Sequence, residues 1–294
     1  MGTDKAVARV IERHQAAGRY LTVEGVKTFV LDEGAGEVVF CIHGVPTSSF
    51  LYRKVIGALA AKGMRGVCVD LPGLGLSGRP ENFDYTFHRF ARFLAKATEV
   101  LGVEKYHLLV HDIGGPIGFA MAAENRGKVQ SLTVLNTWID VVNFKKPLPM
   151  RPFEVPLLGE AELKGITHTT WHAAFTTMGV AHADGIPKEE VYAYVDLLKR
   201  EDDGAAFLKI MRHFDKSEDF RRLCLQAVEK APYPIQAIWG AKDPGLTYER
   251  YGREVQLAAN LPVVHKLEAS HLLQEEKPEE IAQLVVQLAE KGQL

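Results

Sequence analysis

Cysteine is scarce in this 294-residue chain: there are three, Cys41, Cys68 and Cys224. So small and odd a set makes no disulfide framework, and two of the three fall in apolar strand-like runs, where they read as small buried hydrophobes. The expectation is a reducing cytoplasm. An excess of one charge is also missing. Lys plus Arg total 35 against 37 Asp plus Glu, a formal net charge of -2, which offers no electrostatic footprint to nucleic acid or to an anionic membrane. The opening MGTDKAVARVIERHQAAGRY has no uninterrupted apolar segment, so neither a secretory signal nor a membrane span is expected there. Ala6 breaks the myristoylation pattern. No repeat or low-complexity tract occurs. His88, His168, His182 and His213 lack metal-ligand spacing with carboxylates or cysteines, so no metal and no other cofactor is expected.

What is present is a globular composition, 47% hydrophobic and 24% charged, in a chain long enough for one large core or one core carrying an inserted subdomain. RYLTVEG, VKTFVLDEG and EVVFCIHG are short β-rich runs closed by glycine. Residues 49–62 have helical spacing, GMRGVCVDLPG is another strand, 87–101 a helix, YHLLVHD a strand, 115–126 a helix and VQSLTVLNT a strand. Alternating strands and helices imply a parallel sheet. From about 140 the chain turns proline-rich, and to about 230 it shows helical stretches without strands. The pattern resumes with APYPIQAIWG, a helix near 247–259, LPVVHKL and a last helix near 278–291. The expected division is an α/β core over 1–139 and 231–294, with a helical cap over 140–230.

Gly73, Gly75 and Gly78 in DLPGLGLSG satisfy GxGxxG directly after a strand, as a dinucleotide site would. Arg79, Pro80 and the polar ENFDYT follow, so no helix opens there to receive a pyrophosphate. The stretch reads as a glycine-rich loop.

LLVHDIGGPIG, residues 108–118, runs a strand into a sharp turn and a helix, the arrangement that lifts one side chain above a sheet edge. The lifted residue is Asp112. A helix N-terminus favours an anion, so Asp112 is expected to be ionised, a nucleophile needing no activating base. A carboxylate is too good a leaving group to form a stable acyl-enzyme. Attack at an electrophilic sp3 carbon gives instead an alkyl ester, which must then be hydrolysed. Two later loops carry the groups for that step: Asp243 in IWGAKDPG and His271 in LEASHLLQEE. In the order Asp112, Asp243, His271, the histidine activates water and Asp243 orients it. His43 is expected to order its own loop. The backbone N–H groups of Val45 and Ile113 are candidates for an oxyanion hole.

HGVPTSSFLYRKVI, DLPGLGLSGRP, DYTFHRF, VHDIGG, GAKDP and ASHLLQE resemble, in order, the motifs of the haloalkane dehalogenase and epoxide hydrolase branch of the α/β-hydrolases. The resemblance implies an α/β-hydrolase fold: an eight-stranded, mostly parallel sheet flanked by helices, with a helical cap inserted after the sixth strand. It also implies an acid after the strand ending at Trp239, because the other family position, in VLNT, is Asn136.

The chain departs from both patterns. Ile113 stands where haloalkane dehalogenases commonly carry the halide-holding Trp, and Val45 where many have Asn or Glu. AAFLKIMRHF has no tyrosine where epoxide hydrolases place one of two cap phenols. Trp138, Trp171, His172, Tyr192 and Tyr194 are the remaining candidates for leaving-group or substrate contacts, and packing is the competing role for each. The reading is a hydrolase for a small molecule, dehalogenase-like, with an epoxide hydrolase as alternative. An esterase using Asp112 as general base, or a binding protein on a hydrolase fold, are further alternatives. A monomer or homodimer is expected, with no nucleic-acid or membrane partner.

Overall fold

The computed structural model describes residues 2–291. Eight strands form one sheet: β1 (Gly18–Val23), β2 (Val26–Gly34), β3 (Val38–Ile42), β4 (Arg65–Val69), β5 (Tyr106–Val110), β6 (Val129–Leu135), β7 (Ile235–Gly240) and β8 (His265–Leu267). Their order is β1-β2-β4-β3-β5-β6-β7-β8. β2 is antiparallel to both neighbours, and every pairing from β4 to β8 is parallel.

The strands alternate between two apolar layers. Val38, Phe40 and Ile42 of β3 belong to one buried cluster, and Val39 and Cys41 to the other. A strand covered on both faces has no polar side, so β3 reads as an unbroken apolar run, and in β5 the one break, His107, is buried beside the Ser131 hydroxyl. This is also why Cys41 and Cys68, paired across β3 and β4, are both buried.

Between β6 and β7 the described chain adds helical segments and no strand: Leu148–Glu154, Leu158–Gly165, His168–Ala174, Lys188–Lys199, Ala205–Arg212 and Glu218–Gln226. The helix expected over 49–62 is a 3-10 turn, Ser49–Tyr52, capped by the Ser48 side chain, leading into Arg53–Ala60. The one expected near 247–259 opens as a wider turn, Tyr248–Gly252, before Arg253–Ala258. No helix opens after Gly78; the next begins at Phe87.

An opening helix, Gly2–Ala17, is absent from the sequence reading. It buries Val7 and Val10 and packs on Lys188–Lys199. No helix among the described residues is long and apolar enough to cross a membrane.

The sheet sets the site. β3, β5, β7 and β8 run parallel, so the loops leaving them emerge together at one edge. In parallel sheets ligands bind at that carboxyl edge, where the strand order reverses.

Candidate active site

Asp112 follows β5 and precedes the helix Gly114–Glu124. Its φ is 55°, a left-handed conformation that costs a non-glycine residue of order 1–3 kcal/mol and must be held from outside. Asp112 N donates to Asn136 O at 3.0 Å, and Thr137 Oγ1 donates to Asp112 O at 2.6 Å. The helix enters so close that a Cβ on Gly115 would lie 1.9 Å from Thr137 Oγ1. On the other side a Cβ on Gly44 would meet the Asp112 Cβ at 2.3 Å. These two glycines let the carboxylate stand between the loops.

Asp112 Oδ1 accepts a hydrogen bond from Val45 N at 2.9 Å. Burial raises the Asp112 pKa above the ordinary carboxylate value, and the His271 charge with the Val45 and Ile113 N–H groups pulls it back only in part. The groups that oppose burial here are these specific partners rather than the helix terminus alone.

His271 Nδ1 lies 2.7 Å from Asp243 Oδ2, while its Nε2 lies 3.7 Å from Asp112 Oδ2. Burial disfavours charge on the ring, but Asp243 and Asp112 outweigh it and push the His271 pKa up to about 9. Burial likewise works against the Asp243 carboxylate. It is overcome by His271, by the Leu246 N–H and by the Asn136 amide, so that its pKa falls to about 2.

Asn136 is the residue whose part the sequence reading missed. Its Nδ2 donates to Asp243 Oδ2 at 2.8 Å, and its Oδ1 accepts from Gly240 N at 2.7 Å. The signal was there: Asn136 directly follows β6, which lies between the strands leading to Asp112 and Asp243. His111 was also passed over; its Nε2 lies 2.9 Å from the His271 carbonyl oxygen. Its pKa is held well below the ordinary value by burial and by the His271 charge, so the neutral ring donates. His43 is buried, with Nδ1 2.9 Å from Gly44 O and Nε2 accepting from Leu71 N at 3.0 Å. It links two loops and does not contact Asp112.

A cavity of about 330 Å³ opens above Asp112 and His271. Its wall includes Trp138 and Trp171 among many apolar side chains. Trp138 stacks on Phe144 with ring centroids 3.7 Å apart. The Trp171 indole N–H is buried without a hydrogen-bond partner among the described residues.

His172, Tyr192 and Tyr194 are not part of that wall. Tyr192 stacks on His168 with centroids 4.6 Å apart, and His172 packs edge-on against Tyr192. The Tyr194 hydroxyl donates to Glu275 Oε1 at 2.5 Å. That phenol faces the buried Arg53 and Glu275 ion pair because Lys188–Lys199 turns its Tyr194 face inward.

A family model described as "alpha/beta hydrolase fold" matches residues 37–278, most of the chain and every loop of the site. The chain belongs to the α/β-hydrolase family. This hydrolase is 28% identical over 266 residues to haloalkane dehalogenase 2 of Mycobacterium tuberculosis, covering 87% of this chain and 89% of that one. Among solved structures it is similar to Cfl2 of Burkholderia cenocepacia, with a TM-score of 0.79 and 24% identity, covering 92% of this chain and 94% of that chain. It also superposes on the epoxide hydrolase VrEH1 of Vigna radiata with a TM-score of 0.76 at 21% identity, over 93% and 97% of the two chains. At those identities the structures establish the hydrolase fold, and the choice of leaving group rests on the cavity of this hydrolase.

Proposed function

We propose that this hydrolase is a haloalkane dehalogenase-like enzyme, in which Asp112 displaces halide from an sp3 carbon and His271 directs hydrolysis of the resulting ester. The observation that carries the reading is how the Asp112 carboxylate is held. Oδ1 is tied to the Val45 N–H at 2.9 Å, while Oδ2 stands 3.7 Å from His271 Nε2. That is beyond a hydrogen bond and leaves Oδ2 its lone pairs for attack.

In the first step an Oδ2 lone pair forms the C–O bond as the carbon–halogen bond breaks and its electrons leave with the halide. Alkylation removes the Asp112 charge, one of the two that raise the His271 pKa. Its pKa falls, so the ring gives up its Nε2 proton to solvent and, now neutral, can accept one from water there. Hydroxide adds to the ester carbon Cγ, and the charge that develops on Oδ1 falls where the Val45 N–H already donates, with the Ile113 N–H beside the same carboxyl group. Collapse breaks the Cγ–Oδ2 bond. The alcohol departs with Oδ2 and takes the proton held by His271, and the Asp112 carboxyl, now with one oxygen from water, releases its remaining proton to solvent to restore the carboxylate.

The leaving group is argued from the cavity wall. A departing halide needs N–H donors, and the unpartnered Trp171 indole supports one. An opening epoxide needs an acidic O–H, and Tyr192 and Tyr194 stand outside the wall. The test is His271→Gln with neutral 1-haloalkanes, read by intact mass. We expect protein heavier by one alkyl group on Asp112. An adduct formed from epoxides alone moves the assignment to an epoxide hydrolase, and no adduct from either panel removes the nucleophile role of Asp112.

A further inference from the structure

Four residues with ionisable side chains line the cavity among the described residues: Asp112, Asp243, His271 and Lys146. The proposed reaction uses three of them. Lys146 is left over, with its side chain only 3% exposed. Lysine is almost never so buried unless paired.

Its Nζ lies 2.5 Å from Glu154 Oε1 and 3.6 Å from the centroid of the Phe214 ring. Phe214 stacks with Trp138 and Phe144 on one wall of the cavity. The Lys146 backbone is anchored too, its carbonyl accepting from Arg151 Nε at 3.0 Å. Glu154 is the looser partner, 37% exposed and shared with Lys216 Nζ at 3.5 Å from the same oxygen. Two ammonium groups share this one carboxylate, a local surplus of positive charge beside the aromatic wall of Trp138, Phe144 and Phe214.

We propose that Lys146 binds a carboxylate of the substrate, so that the substrates are alkanoates whose chain carries the carbon attacked by Asp112. The apolar side chains take the hydrocarbon, and the substrate carboxylate replaces Glu154 on Lys146 as Glu154 turns toward Lys216 and water. A few placed polar groups in an apolar pocket fix a ligand's orientation in this way, and a charge fixed at the wall selects against neutral chains of the same length. Burial lowers the Lys146 pKa and Glu154 raises it again, which keeps the cation dependent on an anion beside it. The inference deepens the reading of Asp112 as nucleophile and rests on it for the reactive end of the substrate only.

The test uses the full chain and two ligands that do not react, octanoate and octan-1-ol, titrated by calorimetry at fixed ionic strength. Octanoate should bind roughly tenfold tighter or better, the range of a hydrogen bond to a charged group. That preference should vanish in Lys146→Met, persist in Lys146→Arg and weaken with added salt. Equal affinity of the native protein for the two ligands overturns the proposal whether or not Lys146→Met folds. So does a Lys146→Met variant that weakens both equally, since the lysine would then act by packing. Octanoate preference without any Asp112 adduct in His271→Gln would sink the reaction and leave the Lys146 site standing; an adduct without the preference does the reverse.

Discussion

Asp112 Oδ2 and His271 Nε2 face each other at 3.7 Å without a hydrogen bond, while the opposite ring nitrogen of His271 is held at 2.7 Å by Asp243. One carboxylate therefore orients the ring and the other is left available. Both charges raise the His271 pKa, and they do so in a folded chain whose burial would otherwise lower it.

That shift has a stability consequence. The folded protein holds the His271 proton up to about pH 9, while an unfolded chain releases it near the ordinary value of 6.5. Between those values the folded state binds more protons, so stability falls as pH rises. The contribution is fully present below 6.5 and gone above 9. We expect urea midpoints of the native protein to decline across this window and those of His271→Gln to decline less. Equal slopes would show that the ring is not charged in the folded state.

Removing the Asn136 amide should slow ester hydrolysis more than alkylation. In Asn136→Ala the Asp243 carboxylate loses a donor at 2.8 Å and the Gly240 N–H loses its acceptor. A hydrogen bond to a charged group is worth about 1.5–3 kcal/mol, so the loss is roughly tenfold to a hundredfold in the hydrolytic step. Rapid quench with a haloalkane should then reveal transient alkyl-enzyme. A variant slowed equally in both steps would place Asn136 in general support of the fold.

Trp171→Phe keeps the ring area on the cavity wall and deletes the indole N–H. If that group meets the departing halide, kcat for alkylation should drop roughly tenfold or more, with weaker inhibition by bromide. Unchanged halide inhibition would assign Trp171 to packing, against Tyr194, whose ring centroid lies 6.1 Å away.

Much of the sheet was legible from the sequence, because a strand buried on both faces is largely apolar, as VVFCI is throughout and YHLLV is apart from His107. The elbow was legible for a related reason: the turn at Asp112 demands small neighbours, and Gly114, Gly115 and Pro116 come one residue after it. The opening helix was not. Its buried Val7 and Val10 are few, and the helix is held by packing on a cap helix far along the chain. Asn136 was noticed only as a position without an acid, since its work is done across the sheet on a residue more than a hundred positions later.

The resemblance put the acid in the later loop, while local spacing by itself determined most of the strands, the helices between them and the loops bearing Asp112, Asp243 and His271. These follow from short-range sterics and from the period of burial, which leave their mark within a few residues. Which aromatic and charged groups reach the cavity was decided only by tertiary structure. Trp171 and His172 are adjacent in one short helix, yet Trp171 lines the cavity and His172 packs on Tyr192. Tyr194, a candidate contact in the sequence, is buried on an ion pair, and Lys146, which the sequence did not single out, stands at the wall. A helix presents whichever face its packing partners leave open, and those partners come from distant parts of the chain.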